Sequence, residues 1–137
     1  MRLVCVLLLA VLASAPVGLA LNALASELHC EGERLACNID VAIGAYATIM
    51  VAVLGPLIYG VTLVVATNRT ALLGATLVLL TPLMAAYALA EFDSWRYVGF
   101  HPYPALRTFL VMLLPPIATI LTQWLALRTA IRRGILS

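Results

Sequence analysis

The chain has 137 residues, of which 64% are hydrophobic and only 10% are charged, and its mean hydropathy is +1.09. Soluble domains carry about 25% charged residues, so this composition excludes a soluble domain of useful size and predicts an integral membrane protein. The net charge of +2 is too small, and the basic residues too scattered, to indicate nucleic-acid binding. We therefore expect one all-α membrane domain over residues 1–137, with the lipid bilayer around it.

The first apolar segment, about residues 3–25, has two interpretations. As a retained helix it spans the membrane, because about 20 residues at 1.5 Å rise cross a hydrocarbon core of about 30 Å. As a signal peptide, its apolar stretch is followed by a small-x-small cleavage site at Ala23–Ala25. We favour the retained helix, because the stretch is long for a signal. The choice changes the number of membrane helices from four to three.

The first polar loop, residues 26–40, contains Cys30 and Cys37. Six residues separate them, a span that a short loop can close into a disulfide. Disulfides persist in oxidising compartments, so the pair predicts that this loop faces outward. A thiol enzyme that passes electrons to quinone would need a second reactive pair. Cys5 lies at the other end of the first segment, so we interpret the pair as a structural link within the loop.

Two apolar segments, about residues 41–66 and 71–90, flank the polar turn Thr67–Thr70. Neither segment contains a charged residue, and the pair predicts two membrane helices joined by a tight turn. Pro56 and Pro82 lie inside them and predict kinks, because proline removes a backbone donor.

Small residues recur on one face of the second helix, at spacings of four, four and three. They are Gly44, Thr48, Ala52 and Gly55. Such a stripe lets a neighbouring helix approach closely.

The second polar loop, residues 91–106, is rich in aromatic rings that favour the membrane interface. Its segment His101–Pro104 alternates prolines, and we expect it to be extended or turning. The last helix, about residues 108–127, contains Pro115-Pro116, which predicts the strongest kink of the four. Thr119 and Gln123 lie one turn apart on this helix and are interpreted as packing residues that hydrogen-bond between helices.

The distribution of arginines predicts the orientation. With the Thr67–Thr70 turn in the cytoplasm, five arginines lie inside and three outside, in agreement with the positive-inside rule. All six acidic residues and the cysteine pair then lie outside. We expect both termini in the cytoplasm of a bacterial cell, with loops 26–40 and 91–106 on the outer face of its cytoplasmic membrane.

No Asp, Glu, Lys, Arg or His lies inside any predicted span. Embedded ionisable residues usually mark ion paths or proton relays, and both histidines, His29 and His101, lie in the outer loops. We therefore predict no catalytic, cofactor-binding or metal-binding residues. The leading hypothesis is a non-enzymatic accessory subunit that packs against another membrane protein or a second copy. The alternatives are a small oligomeric transporter or channel, and an outer-face enzyme with thiol or quinone chemistry.

Overall fold

The computed structural model describes residues 1–30, 36–99 and 101–136, and the regular secondary structure in these ranges is entirely helical. Four helices are long and apolar enough to cross a membrane: Arg2–His29, Cys37–Val65, Arg69–Tyr97 and Pro102–Arg132. The predictions of an all-helical structure and of four helices able to span a membrane are confirmed.

The helices extend well beyond the apolar stretches that predicted them. Helix α1 is Arg2–His29, α2 is Ala36–Val65 and α3 is Arg69–Val98. The predicted loops 26–40 and 91–106 are correspondingly shorter, and residues 31–35 and Phe100 lie outside the described part. Polar residues mark where a helix leaves the hydrocarbon. The helix itself continues past these residues, because its backbone N–H and C=O groups still hydrogen-bond within the helix.

The fourth span consists of helix α4 (Pro102–Thr108), a π-helical turn (Phe109–Leu113) and helix α5 (Leu114–Arg132), which follow without a break. The expectation that His101–Pro104 is an extended or turning stretch is wrong beyond its first residue, because helix α4 begins at Pro102. His101 is extended, with φ −121° and ψ 114°, but Pro102 lies in the first turn of α4. The missing N–H of a proline costs nothing at that position.

The π-helical turn lies directly before Pro115-Pro116. The N–H of Leu114, the residue that follows this turn, donates to the carbonyl of Phe109, five residues earlier. The two prolines cannot donate to the carbonyls of the preceding turn. A wider turn at this point changes the register of the helix where its hydrogen bonds are interrupted anyway.

Helices α1, α2 and α5 form the centre of the bundle, and α3 packs from outside against α2 and α5. Tyr59 connects α2 to α3, with its hydroxyl 2.8 Å from Thr76 Oγ1. Thr76 donates its own hydrogen to the carbonyl of Leu72 at 2.9 Å, so Tyr59 is the donor. The largest buried apolar cluster surrounds this bond, and it includes Leu63, Leu72, Leu79, Ile120 and Leu127.

The helices alternate in direction, which separates charges between the two ends of the bundle. At one end Leu3, Leu63, Thr67 and Leu136 line a common cavity. This arginine end carries Arg2, Arg69, Arg128, Arg132 and Arg133. The opposite, disulfide end carries Cys30, Cys37, Glu27, Asp40, Glu91 and Asp93.

Candidate functional site

Small and polar residues from three helices meet in the centre of the bundle, and we call them the polar seam. The buried members are Ser14, Gly18 and Asn22 of α1, Gly44, Thr48 and Gly55 of α2, and Thr119 and Gln123 of α5. The spacing of four residues in α1 and α5 places the members of each helix on one face. Small residues there let the three backbones approach closely.

Sequence reasoning found two of the three faces of the polar seam. The predicted stripe in α2 is buried in full, and Thr119 and Gln123 are fully buried as well. The α1 face, formed by Ser14, Gly18 and Asn22, was missed. Its signal is a small or polar residue at every fourth position of an apolar segment.

Gln123 connects all three central helices. Its Nε2 donates to Ser14 Oγ at 3.1 Å and to the carbonyl of Val51 at 3.4 Å. Its Oε1 has no hydrogen-bond donor and lies against Gly55, where a Cβ atom would overlap it. The unpaired oxygen is therefore buried against the backbone of α2 at Gly55.

The polar seam is also closely packed around Gly18. A Cβ atom on Gly18 would overlap Thr119 Oγ1 and lie 2.5 Å from Thr48 Cγ2. The two threonine hydroxyls donate within their own helices, Thr48 to the carbonyl of Gly44 at 2.7 Å and Thr119 to that of Pro115 at 2.9 Å. These hydroxyl hydrogens are thus already used, and no solute-sized gap separates the helices at this level.

Near Gly44, the polar seam contains the backbone carbonyl of Val111, which lacks its helical hydrogen-bond donor. The residues four and five positions after Val111 are Pro115 and Pro116, and neither has an N–H. A Cβ atom on Gly44 would lie 2.5 Å from the oxygen of Val111, so a Cα hydrogen of Gly44 points towards that oxygen. Such C–H···O contacts are weak but favourable. Asn22 adds a stronger link here, since its Nδ2 donates to the carbonyl of Val41 at 3.1 Å.

The arrangement of the polar seam is that of a packing interface. Its side chains hydrogen-bond to one another or to nearby backbone carbonyls, and none of its members is ionisable. Among its members, Gln123 and Asn22 make hydrogen bonds that cross between helices, and in a bilayer such a bond stabilises helix association by about 0.6 kcal/mol, and at most about 2 kcal/mol. The polar seam holds α1, α2 and α5 together and offers neither a nucleophile nor a proton carrier.

At the disulfide end the structure places Cys30 and Cys37 at disulfide distance, with Cα atoms 5.6 Å apart. This agrees with the predicted disulfide, which joins the end of α1 to the start of α2. Cys5 is exposed at the arginine end and cannot form a second pair with them. The described residues contain no group of three side chains arranged to hold a metal ion.

An open pocket of about 250 Å³ lies at the same end, between α3 and α4. Its lining includes Glu91, Trp95, His101 and Arg107, and the charge of Arg107 also acts on Asp40 of α2. Sequence reasoning placed Glu91, Trp95 and His101 in a surface loop and Arg107 at the start of the last helix. It did not predict that helix α4 brings them together.

No protein-family model, curated protein or solved structure matches the chain.

Proposed function

We propose that this protein is a non-enzymatic accessory subunit of a membrane complex, and that its partner packs against the outer half of α3. The observation that carries the proposal is the exposure of this half-helix. From Thr81 to Tyr97 none of the described side chains is buried, whereas α1, α2 and α5 already bury one another. A membrane helix with so little cover from its own chain provides a surface for another helix.

A crevice of about 370 Å³ between α2 and α3 extends this surface. Its lining is almost entirely apolar and includes Met50, Leu54, Pro82 and Leu83. Tyr46 lies at the edge of this crevice, and its side chain is 65% exposed. It lies about 9 Å along α2 from Asp40, at a rise of 1.5 Å per residue. The Tyr46 hydroxyl has no hydrogen-bond partner among the described residues, so an acceptor on a neighbouring helix would stabilise it.

The exposed half of α3 also carries small residues suited to close helix packing. Ala85, Ala86, Ala88 and Ala90 are all exposed. In lipid, helix association depends on van der Waals contact and hydrogen bonds, and small residues favour both by letting backbones approach. Together with the crevice and Tyr46, these alanines favour a membrane helix as the partner.

The transporter alternative receives less support from the interior. The polar seam is filled by close backbone contacts at Gly18, Gly44 and Gly55, and its hydroxyls are bonded within their own helices. A solute path would therefore have to run between several copies of the protein and not through the centre of one bundle. The enzyme alternative lacks a second reactive cysteine pair.

We infer an orientation with both termini in the cytoplasm, in a bacterial cytoplasmic membrane. The arginine end carries five arginines and no described acidic residue, which supports its placement inside. The disulfide end then faces the oxidising side. Kinks at the prolines in α1, α2 and α3 remain part of the proposal.

Photo-crosslinking in intact membranes tests the accessory-subunit proposal. A benzoylphenylalanine is placed at Met50 or Leu83 in the crevice, and at Leu12 of α1, which is 71% exposed, as the control. We expect one discrete protein adduct from the crevice positions and none from Leu12, and native mass spectrometry of the gently solubilised complex should contain the same partner. Adducts to lipid alone would refute the proposal. An adduct to a second copy of the chain would favour the oligomeric transporter instead.

A further inference from the structure

A cavity of about 170 Å³ lies at the arginine end, between the start of α3 and the last turns of α5. We call it the arginine cavity. It is lined by Arg69, Leu72, Leu73, Trp124 and Arg128. Two of its five lining residues are cationic, and all of the described acidic residues lie at the opposite end of the bundle. Its potential is therefore positive, because no described acidic side chain lies at this end of the bundle.

Arg128 contacts an aromatic ring, and Arg69 lies at the capped start of a helix. The guanidinium of Arg128 lies over the ring of Trp124, 4.8 Å from the ring centroid, a cation–π contact that restricts its position. Arg69 is the first residue of α3, directly after Asn68, whose Oδ1 accepts the N–H of Ala71 at 2.7 Å. A planar guanidinium matches the paired oxygens of a phosphate, and both arginines line this cavity.

The remaining lining is apolar and connects the cavity to the lipid-facing surface. Leu73 is 50% exposed, and Trp124 is half-buried beside it. Tryptophan favours the interface between headgroups and hydrocarbon. A ligand of this cavity would contact cations with one part and apolar side chains with the other.

We propose that the arginine cavity binds an anionic phospholipid, with its phosphate between Arg69 and Arg128 and an acyl chain along Leu73 and Trp124. Basic pockets between membrane helices are suited to anionic headgroups. A zwitterionic lipid fits less well, because its ammonium group would be repelled by the same two arginines. This site is separate from the α3 surface proposed for a protein partner, and either proposal can fail without the other.

Native mass spectrometry of the delipidated full-length protein tests the site, by titration with phosphatidylglycerol or with phosphatidylcholine of the same acyl chains. The double variant R69Q/R128Q is compared with R132Q/R133Q, which removes the same charge from exposed positions outside the cavity. We expect phosphatidylglycerol to bind in preference. We expect about 30-fold weaker binding in R69Q/R128Q, which corresponds to about 1 kcal/mol for each arginine. The R132Q/R133Q control should bind nearly as the wild type.

Three results would overturn the proposal. The first is equal loss in both double variants, which would indicate only general surface charge. The second is equal binding of the two lipids. The third is displacement by glycerol phosphate at the concentration of the lipid itself, which would indicate a small-anion site without an acyl contribution. If R69Q/R128Q does not fold, the variant R69K/R128K is used, which retains the charge without the planar guanidinium. We expect it to bind phosphatidylglycerol more weakly and phosphatidylcholine as the wild type does.

Discussion

Gly18 is one of the glycines, with Gly44 and Gly55, at which the packing of the bundle leaves no room for an added methyl group. Replacing glycine by alanine inside a helix normally gains about 1 kcal/mol from helix propensity. At Gly18 the new Cβ would overlap Thr119 Oγ1 and lie 3.2 Å from the carbonyl oxygen of Pro115. The backbone of α5 cannot rotate away as a side chain can. The cost of overpacking, about 1–3 kcal/mol, should therefore reach its upper end and exceed the gain.

We predict that Gly18→Ala lowers the free energy of unfolding by about 2 kcal/mol, the balance of overpacking and propensity. Gly74→Ala in α3 is the matched control, because a Cβ there has nothing within 4 Å. It should leave the stability unchanged or raise it slightly. Reversible unfolding in mixed detergent micelles measures both. Equal midpoints for the two variants would mean that the helices are further apart at the polar seam than the structure has them.

Residue patterns made the helices predictable but not their partners in the bundle. The apolar segments and the stripe in α2 depend on the local chain alone, and both are seen in the structure. The close contact of Gly18 with Thr48 and Thr119 joins positions that are 30 and about 100 residues apart in sequence, and one sequence contains no record of such a pairing. The disulfide was predictable because its loop is short.

At the scale of elements, α3 differs from the other helices. Its first third is buried against α2 and α5 through Leu72, Thr76 and Leu79. Its outer half contacts the fourth span through Tyr87, whose hydroxyl donates to the carbonyl of Ala105 at 3.0 Å. The Tyr87 ring also packs edge-on against Phe109, with centroids 5.8 Å apart. The sequence pattern of α3 is apolar on all sides, so it could not indicate which half lacks cover.

We predict that Tyr87→Phe increases amide hydrogen exchange in residues 83–97 by about threefold, because a hydrogen bond between membrane helices contributes about 0.6 kcal/mol. The ring contact with Phe109 is retained in this variant. Hydrogen–deuterium exchange in detergent, read by mass spectrometry, measures the change. Residues 69–80 serve as the internal control, since their cover does not involve Tyr87. A uniform increase along α3 would indicate general destabilisation and contradict the role given to this bond.

At the scale of the whole molecule, the charges are separated along the axis of the helix bundle. The arginine end and the disulfide end lie at opposite ends of four long helices, and each end would be placed in a different compartment. Five arginines lie at the arginine end, whereas Arg96 and Arg107 at the other end are accompanied by acidic residues, and such an excess of arginines favours the cytoplasmic side. The orientation, the disulfide and the arginine cavity all depend on this separation, and one labelling experiment addresses it.

We predict that the disulfide end faces the outside of the cell. Single cysteines are introduced by Ser94→Cys at the disulfide end and Thr70→Cys at the arginine end, both exposed positions, in a Cys5→Ser background. A membrane-impermeant maleimide should label Ser94→Cys in intact cells, and Thr70→Cys only after the membrane is permeabilised. The background protein should stay unlabelled, because Cys30 and Cys37 are joined and have no free thiol. Labelling of Thr70→Cys in intact cells would reverse the orientation, and the anionic lipid of the arginine cavity would then have to come from the outer leaflet.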